Sequence, residues 1–269
     1  MSGVPFDLLL VLAAALWGAA AGTLLPRPAH RFSVPLPEPE DKKPEDTETE
    51  AETAAEAVEG YGWRDACPAG HPVTGWLGPA RCAPCGGVAY GPRPLPFAVV
   101  TALLCAVLAA ATGTRPELAV WLLLAPVGVL LAAVDLAVHR LPDPLTLPLA
   151  AAAPALLGAA ALLPEHAGDW TTALLGTVAL GGAYLVLHLL NPSGMAFGDV
   201  KLSLGAGAVL GWYGWPTVML GTLAAFVLGA LYGGVLVLAR RADRRTVIPF
   251  GPFLLAGTLT GVLIGAGAA

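Results

Sequence analysis

Two aspartates stand at the edges of apolar runs, where lipid would penalise them. Asp135 ends the run Val120–Val134, and Asp199 opens the run Val200–Trp212. A carboxylate at the end or in the interior of a membrane helix is costly, usually faces the inside of a bundle, and by default marks a functional site. Two such acids on different helices can meet. A pair sharing one proton can activate a water with its ionised member and protonate with the other, which is the machinery of aspartyl hydrolysis. These are the acids of the chain best placed for intramembrane chemistry.

A second group of reactive side chains lies in polar sequence. Cys67-Pro-Ala-Gly-His71 is followed by Cys82-Ala-Pro-Cys85. Three thiolates and an imidazole form a legitimate tetrahedral zinc set, one half Cys-x2-Cys and the other Cys-x3-His. A redox dithiol at Cys82 and Cys85 is the alternative, although no strand–helix pattern surrounds it. Plain reduced cysteines are the third reading. Cys105, in Thr-Ala-Leu-Leu-Cys-Ala-Val, reads as a buried inert thiol.

The elements that must position these groups are membrane helices. The chain has 269 residues, of which 56% are hydrophobic and 12% charged, and its mean hydropathy is +0.71. That composition excludes an ordinary soluble domain and predicts a polytopic all-α bundle. A helical span needs about 20 apolar residues. Eight segments are candidates: Val4–Leu25, Leu95–Thr112, Glu117–Val138, Leu145–Leu163, Trp170–Leu190, Val200–Trp212, Trp215–Leu238 and Val247–Gly267. The sixth is short and is expected to begin inside protein, not in lipid. No Lys or Arg precedes the first, and it is long enough to span, so it reads as a helix and not a cleaved leader.

If the spans alternate, all but one of the 14 Lys and Arg fall on one side, and Arg115 alone lies on the other. The positive-inside rule makes the crowded side cytoplasmic and places both termini outside. Asp135 and Asp199 then both lie at cytoplasmic helix ends. The expected organisation is a first span over 1–25, a cytoplasmic loop domain over 26–94, and a membrane-embedded domain over 95–269. Within the loop, 38–59 carries ten acids and two lysines and no apolar residue larger than Val. It cannot build a core and reads as a disordered acidic linker.

The neighbourhoods of the two acids supply further candidates. After Asp135 come Arg140, a basic exit, then Pro142, which breaks the helix, and Asp143, expected to cap the next one. Gly198 lets the backbone approach closely beside Asp199. Lys201 either neutralises local charge or, the plainer expectation, anchors the span at the interface. Ile248-Pro249-Phe-Gly251-Pro-Phe253 suggests a shaped, partly unwound entry to the last span, packed beside the acids or merely starting a helix.

Taken together, Phe-Gly198-Asp199-Val-Lys201-Leu, the upstream Asp135 with Arg140-Leu-Pro-Asp143, and Ile-Pro249-Phe-Gly251-Pro-Phe resemble the type IV prepilin peptidase family, intramembrane aspartyl proteases of the Gly-x-Gly-Asp class. The resemblance covers about residues 95–269, with the three motifs in the family's order and spacing. It implies that Asp135 and Asp199 are the catalytic pair and that no metal is needed for cleavage. The implied substrate is a prepilin or pseudopilin precursor of a type IV pilus or type II secretion system, cut after a glycine at the cytoplasmic face of a prokaryotic plasma membrane. The family's glycine two positions before Gly198 is Ala196 here. One of the family's two Cys-x2-Cys pairs is represented by Cys67 and His71, so any zinc is expected to be structural. Methylation of the new N-terminus from S-adenosylmethionine is implied only faintly by Gly22-Thr-Leu-Leu-Pro-Arg27-Pro, and no glycine-rich cofactor loop follows a strand. The lipid bilayer is an expected partner and nucleic acid is not. The rival readings are a proton- or cation-coupled transporter, a membrane redox protein, and a non-catalytic relative that binds pilins.

Overall fold

The computed structural model describes residues 6–34, 62–192, 194–239 and 248–269. The acidic segment 38–59 lies outside them. Nine helices and one two-stranded hairpin are present among the described residues. Helix α1 (Phe6–Thr23) bends by 45° into the short α2 (Pro26–Phe32). The hairpin pairs β1 (Arg81–Cys82) with β2 (Val88–Ala89). Then follow α3 (Pro94–Thr112), α4 (Glu117–Val138), α5 (Asp143–Ala160), α6 (Trp170–Leu190), α7 (Phe197–Gly211), α8 (Trp215–Leu238) and α9 (Gly251–Ala268).

Six of these helices are long and apolar enough to cross a membrane, and the bent α1–α2 pair makes up to seven. The eight sequence segments therefore correspond to α1 and α3–α9. The sixth, α7, has 15 residues, about 22 Å at 1.5 Å per residue and so too short to span alone. Eleven of its residues are buried, from Asp199 and Val200 through Leu202–Ser203 to Gly205–Gly211. It is a core helix wrapped by the others. Large apolar side chains such as Leu95, Val178, Leu189 and Leu231 instead cover the outside of the bundle, as expected of a surface that faces lipid.

Small residues set the closest seams, as membrane helices without a hydrophobic drive to associate require. Gly176 of α6 and Gly207 of α7 lie against each other's backbone, and Gly221 of α8 meets Gly257 of α9 in the same way. Gly18 and Gly22 of α1 lie against the α3 backbone at Thr101 and Phe97. Polar backbone freed inside the bundle finds a partner. Pro126 within α4 cannot donate to the Leu122 carbonyl one turn back, and that carbonyl accepts from Trp17 Nε1 of α1 at 2.9 Å.

Residues 62–79 fold over α2. Arg27 donates to the carbonyls of Thr74, Leu77 and Pro79. Arg31 pairs with Asp65 at 2.8 Å, donates to the Val73 carbonyl, and stacks 4.6 Å from the Trp76 ring centre. Two arginines of one short helix thus gather a loop that has little apolar content of its own.

Candidate active site

Helix α4 delivers Asp135 in its last turn. The turn closes on His139, whose left-handed backbone (φ 51°) lets its N–H reach the Asp135 carbonyl at 2.8 Å. Helix α7 delivers Asp199 in its first turn, where the Asp199 N–H bonds the Ala196 carbonyl at 3.0 Å. Both side chains are buried, 4% exposed each. Leu131 on α4 and Val200 and Leu202 on α7, close to the two acids in the chain, belong to one buried cluster. The structure thus brings together two acids that are far apart in sequence.

The start of α9 completes the site. Gly251 is its first residue, and its N–H has no partner within the helix because the first turn of any helix leaves donors free. It donates to Asp135 Oδ2 at 3.0 Å. The helix N-terminus also favours a negative charge there. A Cβ at Gly251 would lie 2.7 Å from that same oxygen, so glycine is what lets the donor come so close. Pro252, next in line, has no N–H to compete. Pro249 is half-buried in the non-helical stretch 248–250 that leads into this turn. The entry motif therefore packs beside the acids.

Leu141 was quoted in the sequence only as part of a motif, yet it joins the three chain segments. Its side chain sits against Gly198, where a Cβ would fall 2.9 Å from Leu141 Cβ, and against Gly251, where a Cβ would fall 3.4 Å from Leu141 Cδ1. Gly198 and Gly251 thus make room for one leucine between the first turns of α7 and α9. Arg140, just before it, is half-buried at the end of the α4 exit.

One sequence expectation needs correction, and a second gains a partner. Asp143 does not cap α5: the N-cap position belongs to Pro142, and no side-chain cap bond forms. Lys201 neutralises a local charge, one of its two expected roles. Its Nζ bonds Asp143 Oδ1 at 2.6 Å and lies 4.8 Å from the centre of the Phe197 ring. The reason is topological. Gly198 faces Leu141 just ahead of α5, and Gly205 faces Leu149 and Ala150 further along it. The two helices therefore run side by side in the same direction, and the side chains of their first turns meet. Ala196, at the N-cap of α7, is exposed with φ −72° and ψ 148°, extended backbone that any residue adopts.

An apolar cavity of about 480 Å³ runs from the neighbours of this site into the membrane region. Leu136 and Pro252 line one end, and Leu108, Trp121 and Val262 the other.

The Cys/His group also assembles. The ligand atoms of Cys67, His71, Cys82 and Cys85 all lie within 4.8 Å of one another. His71 Nδ1 is 3.7 Å from Cys67 Sγ, 3.8 Å from Cys82 Sγ and 3.1 Å from Cys85 Sγ. Zn–S bonds of about 2.3 Å and Zn–N bonds of about 2.0 Å give tetrahedral edges of roughly 3.5–3.8 Å, so the donor set fits a zinc ion. Two tight turns build it. Gly70 (φ 81°) closes the Cys67–His71 turn, and Gly86 and Gly87 (φ 69° and 82°) turn the chain after Cys85. Burial pushes the Cys67 thiol up, but hydrogen bonds from the His71 and Ala69 backbone outweigh it and bring it down to about 6. Hydrogen bonding with Cys82, then burial and the neighbouring thiols, push Cys85 up to about 11. Such mutual opposition among thiols is what a divalent cation relieves.

A bundle of apolar helices carries two buried acids near the ends of separate helices, one of them held by a helix N-terminus, an arrangement compatible with the class of intramembrane aspartic proteases. The comparisons agree with that class. Residues 119–234 match the model of the type IV leader peptidase family. A prepilin leader peptidase/N-methyltransferase of Aeromonas salmonicida is 34% identical over 210 residues, covering 71% of this chain and 68% of that one. A protein of the same name from Pseudomonas aeruginosa is 31% identical over 208 residues, 70% of this chain and 67% of that one. Another from Stutzerimonas stutzeri is 39% identical over 83 residues, 30% and 28% of the two chains. No solved structure matches. The chain belongs to the type IV leader peptidase family, and it is a multi-pass membrane protease.

Proposed function

We propose that this protein cuts the leader peptide from type IV prepilin-like precursors, after a glycine and at the cytoplasmic face of the plasma membrane, with Asp135 and Asp199 as the catalytic pair. The observation that carries the reading is the buried pair itself, with the Gly251 N–H on one member. Two carboxylates so placed hold one proton between them and titrate as a unit. The ionised member takes a proton from a water, and the water oxygen bonds the peptide carbonyl carbon. The protonated member gives its proton to the carbonyl oxygen, and the C–N bond then breaks as the nitrogen is protonated. Gly251 orients Asp135 for this work. Asp143, Lys201 and Arg140 stand at the same end of the bundle and shape its polar margin. The apolar cavity beside Leu136 and Pro252 supports lateral arrival of a substrate whose apolar helix stays in the membrane while its leader reaches the acids.

Cleavage of a co-expressed prepilin in membranes, scored by size shift and N-terminal sequencing, tests the reading. Wild type should cut after the leader glycine. Asp135→Asn and Asp199→Asn should each lose about 10³-fold or more in rate. Cutting that survives either change would sink the two-aspartate mechanism.

Cys67, His71, Cys82 and Cys85 would hold a structural zinc that ties the loop domain together. Zinc is expected at one atom per chain in purified protein, and Cys82→Ser should abolish it and lower the melting temperature. The A. salmonicida and P. aeruginosa relatives are also named N-methyltransferases. If that activity extends to this chain, the new N-terminus gains one methyl in the presence of S-adenosylmethionine, which mass spectrometry of the product reads directly.

A further inference from the structure

Tyr184 is the largest polar side chain near the acids that the mechanism above leaves unused. It is 1% exposed, and its hydroxyl is buried with no hydrogen-bond partner among the described residues. A buried hydroxyl without a partner is destabilising, so a partner is expected at some stage of the protein's work.

Its position follows from the α6–α7 seam. The two helices run antiparallel, with Thr172 against Gly211, Gly176 against Gly207, and Gly181 against Leu204. Continuing that register places Tyr184 level with Asp199 and Val200. Tyr184 shares a buried cluster with Leu141 and with Val200, the residue after Asp199. The ring is fixed from the other side by Phe226 and Phe250, at centroid distances of 5.9 and 6.0 Å. Phe250 is the residue before Gly251, whose N–H holds Asp135. Tyr184 is therefore packed between the segments that carry the two acids, with a free donor among them.

We propose that the Tyr184 hydroxyl is a catalytic donor to the scissile carbonyl oxygen. The proposal rests on the peptidase reading. Negative charge grows on that oxygen as water attacks, and a preorganised donor in a dry site lowers the barrier most at that point. Tyr184 keeps its own proton throughout: the proton gained by the carbonyl oxygen comes from the protonated aspartate, and the phenol contributes a hydrogen bond only.

Tyr184→Phe keeps the ring and its contacts with Phe226 and Phe250 and removes only the hydroxyl. Cleavage of a prepilin by wild type, Tyr184→Phe, Asp135→Asn and Asp199→Asn would be followed as full pH–rate profiles. The expected result is a kcat about 10²-fold below wild type for Tyr184→Phe, with KM, melting temperature and the position of both pH limbs unchanged. A kcat within about twofold of wild type would overturn the role. So would a loss accompanied by a moved acid limb, which would make Tyr184 a positioning residue for Asp199. Failure of wild type to cut, or cutting by either Asn variant, would instead remove the peptidase reading and this role with it.

Discussion

Helix α4 carries a buried acid at each end, and the two ends behave differently. At one end stand Asp135 and Asp199. At the other, Glu117 opens α4 and is fully buried, with Oε1 accepting from the Ala167 N–H at 3.2 Å and Oε2 without a partner among the described residues. Around it lie Thr112, Trp121 and Tyr213, the Trp121 and Tyr213 rings 6.1 Å apart. By burial alone Glu117 outranks either aspartate. Its partner among the described residues is a backbone N–H and not a second carboxylate. One acid among hydroxyl and indole groups is a polar network that ordered water can complete. Two acids facing each other beside a helix N-terminus must divide a proton, and that asymmetry is what general acid–base chemistry uses.

The largest expected effect on that contrast comes from Gly251→Ala. The added Cβ would lie 2.7 Å from Asp135 Oδ2, against an oxygen that cannot retreat without losing the N–H bond. Cleavage should fall about 10²-fold, as a displacement of about 1 Å at the reacting groups does, while the membrane-extracted protein keeps its melting temperature to within a few degrees. A smaller effect is expected from Glu117→Gln. The amide can still accept from Ala167 and offers donors to its neighbours, so cleavage should stay within about twofold of wild type and stability should change by about 1 kcal/mol. A loss matching that of Asp135→Asn would erase the distinction between the two ends. The smallest effect belongs to Ala196→Gly. The position is exposed and its backbone is open to any residue, so restoring the family's glycine should leave the prepilin cleavage rate unchanged.

Much of this site was legible in the chain. Acids at the edges of apolar runs can be read without coordinates, because charge in lipid is costly wherever the chain folds. The helix class followed from hydropathy for the same reason, and the shortness of Val200–Trp212 foretold a helix set inside protein. The spacing of Cys67, His71, Cys82 and Cys85 announced a four-ligand group, since turns of that length bring donor atoms to one point.

Other features are properties of contacts between distant segments, which periodicity does not record. Asp143 looked like a cap until parallel packing of α5 and α7 set it against Lys201. Leu141 became the wedge between Gly198 and Gly251 only when the first turns of α7 and α9 converged on it. Tyr184 reads as one more aromatic in an apolar helix, and only the α6–α7 register gives its hydroxyl a place beside Asp199. Arg27 and Arg31 read as basic residues after a span, and only the folded loop turned them into its clasp. The sequence by itself determined which residues lipid would not tolerate, because solvation energy belongs to each side chain. The tertiary structure decided which of them meet and what donors face them, because hydrogen bonds and close contacts belong to pairs.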